Sequence, residues 1–273
     1  MKKLLQILCI AFVLLSTSYV YSQDDETGEE KKCNPELGAG ADLYSRYVWR
    51  GTMFGGSSPS IQPYASIAAS NLEIGFWGAY SLGGENPFQE MDFYIGYTFL
   101  KDMMTFTFTD YYFPNEAATY NYFEFAKDST GHIFETMLSF NGTEKLPLSF
   151  SAAVNVYGAD AAKIESDNTS ADFNTKTGIQ YSTYFELGYA NSFKGVDYNI
   201  FTGFTLASPQ EEDTATGYIG ETGLYGSKAG LVNVGFSLTR EMKITDNFSL
   251  PVHSSFIVNP DTKRAFLLFG VSF

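Results

Sequence analysis

Cysteine, histidine and positive charge are all scarce in this chain. Its 273 residues include 2 Cys, 2 His and 17 Lys and Arg, set against 31 Asp and Glu. The formal net charge of −14 argues against nucleic acid or an anionic surface as a partner, because both attract basic proteins. Cys9 lies in a segment that we expect to be removed, so Cys33 remains alone and no intramolecular disulfide is expected. The fold must therefore be closed by backbone pairing.

Long hydrophobic runs are absent beyond the N-terminus. Lys2 and Lys3 precede an apolar run from Leu4 to Leu15, and the small residue Ser22 closes a segment that is typical of a secretory signal peptide over 1–22. An acidic tail over 23–36 follows it. No later stretch reaches the length of about 18 apolar residues that a transmembrane helix needs, so a helical membrane protein is excluded. Residues 37–273 are expected to form one domain.

Aromatic residues and glycine, in contrast, are abundant. The chain has 19 Tyr, 25 Phe and 25 Gly with only 18% charged residues, which favours strands and turns. Strand patterns recur at steady spacing and predict twelve strands, over 37–50, 60–69, 72–82, 90–100, 103–113, 131–140, 147–157, 178–190, 195–206, 229–240, 247–258 and 264–273. The connections alternate between short turns and longer loops, and an even number of strands brings both termini to the short-turn side. This pattern predicts an all-β fold, a transmembrane antiparallel β-barrel of the bacterial outer membrane.

The C-terminal strand carries the clearest barrel pattern. Its apolar residues alternate with the others and end on an aromatic residue: Ala265, Leu267, Phe269, Val271 and Phe273. Such a strand is expected to face outer-membrane lipid and to be recognised by the barrel-assembly machinery. Aromatic residues near other strand ends are expected to form rims at the membrane surfaces, including Trp49, Tyr80, Tyr111 and Phe113 toward the long loops. A secreted β-sandwich is the alternative, but it does not predict the alternation of short and long connections.

Several segments resemble a known family when they are taken in order. They are Asp42 to Gly51 (DLYSRYVWRG), Pro59 to Pro63 (PSIQP), Gly75 to Ser81 (GFWGAYS), Glu90 to Tyr97 (EMDFYIGY) and Asp110 to Pro114 (DYYFP). This ordered set is similar to the TorF-type family of bacterial outer-membrane porins, over about residues 40–115. The resemblance implies a barrel and a pore, and it carries over no catalytic residue, because the family has no established substrate.

Charged residues on the face assigned to the barrel interior are mostly acidic. The predicted pore-lining residues are Asp42, Arg46, Arg50, Glu73, Glu90, Asp92, Glu135, Glu186, Asp197 and His253. If a water-filled path exists, an acid-rich wall concentrates cations and hinders anions, so cation preference is predicted. The alternative is that these charges pair across strands and fill a plugged interior. A barrel of twelve strands should be narrow in either case.

Arg46 and Arg50 form the main basic feature of that interior. Their even spacing places them on one face of a strand, together with Asp42 and Tyr44. Two guanidinium groups over one face could hold a carboxylate or a phosphate. Pairing of both with wall carboxylates of neighbouring strands is the alternative.

His253 and Ser255 share one face of the eleventh predicted strand, an arrangement similar to that of outer-membrane lipases and lipid A deacylases. Those enzymes point the pair toward lipid. Here Val252 and Phe256 belong to the apolar face, so His253 is predicted to face the interior. Catalysis also needs a third group that orients the base. An ordinary interior histidine is favoured over a lipid hydrolase.

The remaining polar features indicate no dedicated site. His132, close to Asp128 and Ser129, is expected to be solvated. The acidic residues in 160–172 and 211–213 lack the regular spacing of a calcium loop and are also expected to be solvated. We therefore predict no cofactor and no enzymatic activity. The expected function is passive diffusion of small polar solutes or cations, with an occluded structural or surface-binding barrel as the alternative.

Overall fold

Residues 35–84, 87–114 and 121–273 are described by the structure, a computed structural model. The predicted signal peptide over 1–22, and the acidic tail up to residue 34, lie outside these residues. The described residues are all-β and contain no helix. The strands are β1 (Glu36–Tyr44), β2 (Tyr47–Trp49), β3 (Thr52–Phe54), β4 (Ser60–Ala69), β5 (Leu72–Ser81), β6 (Gln89–Phe99), β7 (Met104–Tyr112), β8 (His132–Phe140), β9 (Leu148–Gly158), β10 (Ala162–Ile164), β11 (Lys176–Ile179), β12 (Thr183–Phe193), β13 (Val196–Thr205), β14 (Gly230–Thr245), β15 (Phe248–Asn259) and β16 (Arg264–Ser272).

Twelve of these strands form a closed antiparallel barrel, as the sequence predicts. The order around the wall is β1, β16, β15, β14, β13, β12, β9, β8, β7, β6, β5 and β4, and β4 pairs with β1. The first and last strands close the ring, with Asp42 opposite Ser272 and Tyr44 opposite Gly270. Phe273 extends the closure, since its backbone N–H donates to the carbonyl of Ala41 at 3.0 Å. Closure leaves the wall formed by these twelve strands without an unpaired edge.

The two faces of the wall differ in polarity because successive side chains point to opposite sides of a strand. On β6, Phe93 and Tyr97 are 44% and 51% exposed, whereas Glu90 and Asp92 are 1% and 5% exposed. In a wall one strand thick, the buried set faces the interior and the exposed apolar set faces outward. The same alternation continues around the barrel through the pairing registers of the neighbouring strands.

Connections of two lengths separate the two ends of the barrel. The short connections lie at one end of the barrel, the short-turn end, where β1 begins and β16 ends. They are 70–71, 100–103, 141–147, 194–195 and 246–247. Lys194 and Gly195, both at positive φ, form a two-residue turn of the kind that suits the twist of a hairpin. The longer ones, including 45–59, 159–182 and 206–229, lie at the loop end, which also carries one short connection, 260–263. The predicted alternation is confirmed.

The first predicted strand is too long. It was expected over 37–50, but β1 ends at Tyr44 and the chain leaves the wall. Residues 47–54 form a separate hairpin, β2–β3, which is the inner hairpin. Its two-residue turn consists of Arg50 at φ 48° and Gly51 at φ 78°. A Cβ at Gly51 would lie 2.0 Å from the carbonyl oxygen of Val232, so this turn packs directly on another backbone.

Two other boundaries also differ from the prediction. The strand expected over 178–190 begins at Thr183, because Lys176–Ile179 pairs with β10 in a small outer hairpin. The turn expected over 241–246 is mostly strand, since β14 continues to Thr245. Among the described residues, no helix has the length and apolar character needed to cross a membrane.

Candidate functional site in the barrel interior

The inner hairpin lies across the barrel interior. Tyr47 packs on Trp77 of β5, with ring centroids 5.5 Å apart, and Trp49 packs on Tyr111 of β7 at 5.4 Å. On the opposite side of the barrel, Val48 and Met53 pack against a buried cluster of Ile257, Phe266 and Leu268. The turn is also held, since Asn259 Nδ2 donates to the carbonyl of Gly51 at 3.1 Å. These contacts reach both sides of the lumen and narrow it.

Trp49 and Tyr111 are therefore not rim residues. The sequence pattern assigned them, with Phe113, to an aromatic rim at the outer membrane surface. Tyr111 instead donates to Glu135 in the interior at 3.0 Å, and Phe113 lines a cavity together with Trp49. That prediction is wrong because an aromatic residue near a strand end can face either side of the wall.

Arg50 is buried in the barrel interior, with its side chain 9% exposed. Its guanidinium donates to both carboxylate oxygens of Glu135, with Nη2 to Oε1 at 3.0 Å, and to the hydroxyl of Tyr225 at 2.6 Å. The same group lies 4.5 Å from the ring centroids of Trp49 and Tyr184. Its planar shape suits both a bidentate ion pair and stacking on aromatic rings. Arg50 thus ties the inner hairpin to the wall at β8 and β12.

Tyr225 comes from the loop 206–229 and completes this cluster. Its hydroxyl accepts from Arg50 and donates to Glu135 Oε2 at 3.3 Å. Burial raises the pKa of Tyr225, so the phenol stays protonated and can donate. No sequence pattern indicates this residue, because its role depends on the loop folding back into the barrel.

Arg46 and Arg50 do not share a face of β1. The chain bends inward after Tyr44, and Arg46 Nη1 lies 4.0 Å from the sulfur of Met53. Arg46 Nε is buried without a hydrogen-bond partner among the described residues. The predicted common face is wrong because the even spacing assumed a continuous strand. For Arg50, pairing with a wall carboxylate is what the structure shows.

Glu90 and Asp92 lie side by side on the inner face of β6. The hydroxyl of Tyr47, on the inner hairpin, hydrogen-bonds to Glu90. Glu90 Oε2 and Asp92 Oδ1 are buried and have no hydrogen-bond partner among the described residues. Neither side chain forms an ion pair with any described residue. The acidic wall that the sequence predicts is thus least compensated at this pair.

Glu186 on β12 belongs to a second polar cluster. Tyr184 donates to Glu186 Oε2, and Asn233 Nδ2 donates to the same oxygen at 3.0 Å. Asn233 Nδ2 also donates to the hydroxyl of Tyr184 at 2.9 Å. This cluster lies next to Arg50, because Tyr184 contacts both groups.

A hydrogen-bond chain surrounds His253 near the short-turn end. Ser272 Oγ donates to Asp42 Oδ1 at 2.6 Å and must accept from His253 Nε2 at 2.7 Å. His253 Nδ1 lies 3.0 Å from Thr239 Oγ1, within hydrogen-bond distance. His253 therefore faces the interior, and its partners are Thr239 and Ser272; among the described residues no hydrogen bond joins it to Ser255.

The remaining predicted pore-lining residues have local partners. Glu73 accepts from Tyr94 at 2.9 Å, and Asp197 accepts from Ser192. Both lie on the interior face by register, because Glu73 is on the face of Trp77 and Asp197 on that of Asn199. Conduction past any of these residues stays a prediction.

Two cavities flank the inner hairpin. The larger, of about 540 Å³, extends from Arg50 and Trp49 to Asn141 and Ser149 at the short-turn end; we call it the vestibule. Its other lining residues are Val48, Met137, Ser139, Phe140, Phe150, Ser151, Tyr184, Glu186 and Asn233. The smaller, of about 240 Å³, is lined by Trp49, Phe54, Phe88, Tyr111, Phe113, Ile133, Asn155 and Leu224. Trp49 lines both, so the inner hairpin separates them.

Outside the interior, His132 differs most clearly from its predicted position. It is fully buried rather than solvated, on the outward face of β8. Nδ1 lies 2.7 Å from Asp110 Oδ1, and Nε2 lies 2.7 Å from the carbonyl oxygen of Tyr122. Tyr112 stacks on its ring. The segment 121–130 thus folds over the outside of the wall, which local sequence does not reveal.

Within the described residues, no group of three or more His, Cys, Asp or Glu side chains could hold a metal ion. Two acidic loop residues, Asp160 and Asp213, accept hydrogen bonds from neighbouring groups, and Asp160 is buried rather than solvated. Asp160 binds Asn155 and the backbone of Ser182, at 3.0 and 2.9 Å. Asp213 accepts from the backbone of Ala215 at 2.9 Å.

Comparison with known proteins gives one family. A family model described as "Bacterial protein of unknown function (Gcw_chp)" matches residues 29–222, which is more than half of the chain. No curated protein matches the chain. The TorF-type resemblance stays a prediction beside this broader match.

Proposed function

The chain belongs to the Gcw_chp family of bacterial proteins, and we propose that it is an outer-membrane β-barrel of the TorF-type porin class. In this proposal small hydrophilic solutes or ions diffuse passively through its lumen, with a preference for cations. The carrying observation is the closed wall, with an exposed apolar outer face and buried carboxylates on the inner face. A closed barrel is the one β-architecture that a bilayer tolerates, since every backbone group in its wall is paired.

The charge of the interior supports the preference for cations. Arg50 is neutralised by its ion pair with Glu135. Interior carboxylates that reach solvent, such as Glu73, Glu186 and Asp197, form no ion pair among the described residues. A lumen with uncompensated negative charge attracts cations and raises the barrier for anions.

A second candidate, the occluded barrel with a structural or surface-binding role, is favoured by the inner hairpin. It contacts the wall on both sides and separates the vestibule from the smaller cavity. The porin requires that the inner hairpin leaves room for solutes or moves aside. The occluded barrel requires that it does neither.

Single-channel conductance in a planar bilayer separates these candidates. The mature protein is compared with a variant in which a short Gly/Ser linker replaces residues 46–55. A variant shortened in the outer hairpin between β10 and β11 serves as the control, because it changes the loop end and leaves the inner hairpin intact. Small cation-selective steps that grow only when the inner hairpin is removed support the porin.

The other outcomes are equally informative. A silent native barrel that conducts after removal of the inner hairpin supports the occluded barrel. If both proteins are folded and silent, the proposal of a pore is wrong. Fractionation of cells that express the full chain tests the outer-membrane location, removal of the signal peptide and dependence on the assembly machinery.

We propose no catalytic activity. His253 hydrogen-bonds to Thr239 and Ser272, which supports an ordinary interior histidine over a hydrolase that uses Ser255. Loss of a lipid product on Ser255→Ala, with the barrel still folded, would contradict this.

A further inference from the structure

The vestibule contains a carboxylate whose negative charge is not compensated by a cation among the described residues. Glu186 accepts both of its hydrogen bonds, from Tyr184 and Asn233, at Oε2. Oε1 accepts none from the described residues, and no Lys, Arg or His among them forms an ion pair with Glu186. The cation nearest to this cluster, Arg50, is already paired with Glu135. Glu186 therefore leaves one net negative charge at the wall of the vestibule.

Asn233 provides a second, independent indication of a ligand. It is only 6% exposed and lines the same cavity. Its Nδ2 donates to Tyr184 and Glu186, so the orientation of the amide is fixed. Its Oδ1 has no hydrogen-bond donor among the described residues. A buried amide oxygen without a donor is unfavourable, and a ligand N–H would satisfy it.

The other lining groups define the chemistry of that ligand. Ser139, Ser149 and Ser151 add hydroxyl acceptors, whereas Val48 and Met137 provide apolar surface. The volume of about 540 Å³ is within the usual range of small-molecule sites. The site thus combines negative charge, several acceptors and an apolar wall.

We propose that the vestibule binds a small organic cation that carries N–H donors, an alkylguanidinium or alkylammonium ion. The charged group pairs with Glu186 and donates to Asn233 Oδ1, and the alkyl chain packs along Val48 and Met137. This inference deepens the proposed function and rests on it, since the vestibule is the short-turn half of the proposed pathway.

Isothermal titration of the folded mature protein in detergent micelles tests the site, with butylguanidinium as the probe. Its neutral analogue butylurea has a similar shape and lacks the charge. We expect butylguanidinium to bind at least about tenfold more tightly than butylurea, because charge-assisted hydrogen bonds are the stronger ones. Glu186→Gln should weaken butylguanidinium about tenfold and leave butylurea unchanged.

Asp197→Asn is the matched control. It removes the same charge from the interior face of the neighbouring strand β13, outside the vestibule lining. We expect it to change butylguanidinium affinity less than twofold. Asn233→Ala is a second test of the site, should Glu186→Gln fail to fold, and it should also weaken the probe.

Three results would overturn the inference: no binding of butylguanidinium by the native protein, equal binding of the two probes, or equal losses in Glu186→Gln and Asp197→Asn. Equal losses in the two variants would indicate that the electrostatic potential of the whole lumen, rather than a specific site, attracts the probe. Binding in micelles and conductance in bilayers are independent measurements, so a negative result in one does not imply a negative result in the other. A barrel that binds without conducting contradicts the pore alone, and one that conducts without binding contradicts this inference alone.

Discussion

At the residue scale, the ion pair between Arg50 and Glu135 should dominate the stability of the interior. The two side chains are 9% and 2% exposed. Arg50→Met leaves Glu135 buried without a cation, which should lower the free energy of unfolding by about 3 kcal/mol. Urea unfolding in lipid vesicles measures this loss. The double variant Arg50→Met/Glu135→Gln should recover part of it, because no buried charge then remains unpaired.

Lys243→Met is the matched control for that experiment. Lys243 pairs with Asp246 at 2.7 Å, but the two side chains are 66% and 94% exposed. Exposed pairs contribute little, so this change should stay within about 0.5 kcal/mol. Equal effects of Arg50→Met and Lys243→Met would show that the interior pair does not hold the inner hairpin.

A carboxylate in the outer loops gives a residue-scale prediction for pH. Burial of Glu221 opposes its ionisation, but the backbone N–H groups of Gln210 and Ile164 and the ammonium of Lys163 together lower its pKa. The folded pKa lies below the unfolded one, so the stabilisation is present above the ordinary carboxylate range and is lost as pH falls through the folded pKa. The contacts between the two loops should therefore open as pH falls below the ordinary carboxylate range.

Hydrogen exchange of the Ile164 and Gln210 amides, corrected for intrinsic rates, detects this opening. Glu221→Gln should show faster exchange already at pH 7 and little further change on acidification. Glu211→Gln, at an exposed position in the same loop, should behave as the native protein does. Native amides that stay equally protected at pH 7 and pH 3 would contradict the prediction.

At the element scale, the inner hairpin depends on its turn. Gly51 has φ 78°, and a Cβ there would lie 2.0 Å from the carbonyl oxygen of Val232. Gly51→Ala should therefore displace the inner hairpin, lower stability by about 1–3 kcal/mol and increase conductance. Gly195→Ala is the control, since Gly195 has φ 75° but no atom within 4 Å of its Cβ position. Gly195→Ala should therefore introduce the backbone strain of positive φ without a steric clash.

The comparison of the two turns isolates the docking of the inner hairpin. If Gly51→Ala and Gly195→Ala lose the same stability and conduct as the native protein does, the contact with Val232 does not position the inner hairpin. If Gly51→Ala loses more stability than Gly195→Ala does, the difference is due to the contact between Gly51 and Val232.

The wall could be predicted from sequence because lipid-facing and interior side chains alternate along every strand. The inner hairpin could not, since Tyr47 and Trp49 continue the same alternation beyond Tyr44. A strand inside the lumen and a strand in the wall then look alike over a few residues. The only local sign is the pair Arg50 and Gly51, which suits a two-residue hairpin turn.

The candidate site was predictable to a similar extent. Inward charges such as Glu135 and Glu186 follow from period-two spacing, because register fixes which face each residue occupies. Tyr225 and His132 could not be placed, since both depend on loops that fold back, one into the lumen and one over the outer wall. Loop conformation is set by contacts distant in sequence.

At the scale of the whole molecule, the distribution of charge should decide which ions pass. Glu73 and Asp197 are interior-face carboxylates that reach solvent, and neither forms an ion pair among the described residues. A unit charge at about 4 Å contributes about 1 kcal/mol even in water, enough to change ion partitioning several-fold. Glu73→Gln/Asp197→Asn should therefore lower the permeability ratio of cations to anions several-fold.

The reversal potential in a KCl gradient measures this ratio, in the native protein and in the variant without residues 46–55. Asp213→Asn removes one negative charge from an exposed outer loop and should leave the ratio nearly unchanged, because salt screens exposed charges over about 10 Å. The variant without the inner hairpin keeps the test decisive if the native barrel is closed. A pore whose ratio is the same with and without Glu73 and Asp197 does not select ions through the acidic wall at its short-turn end.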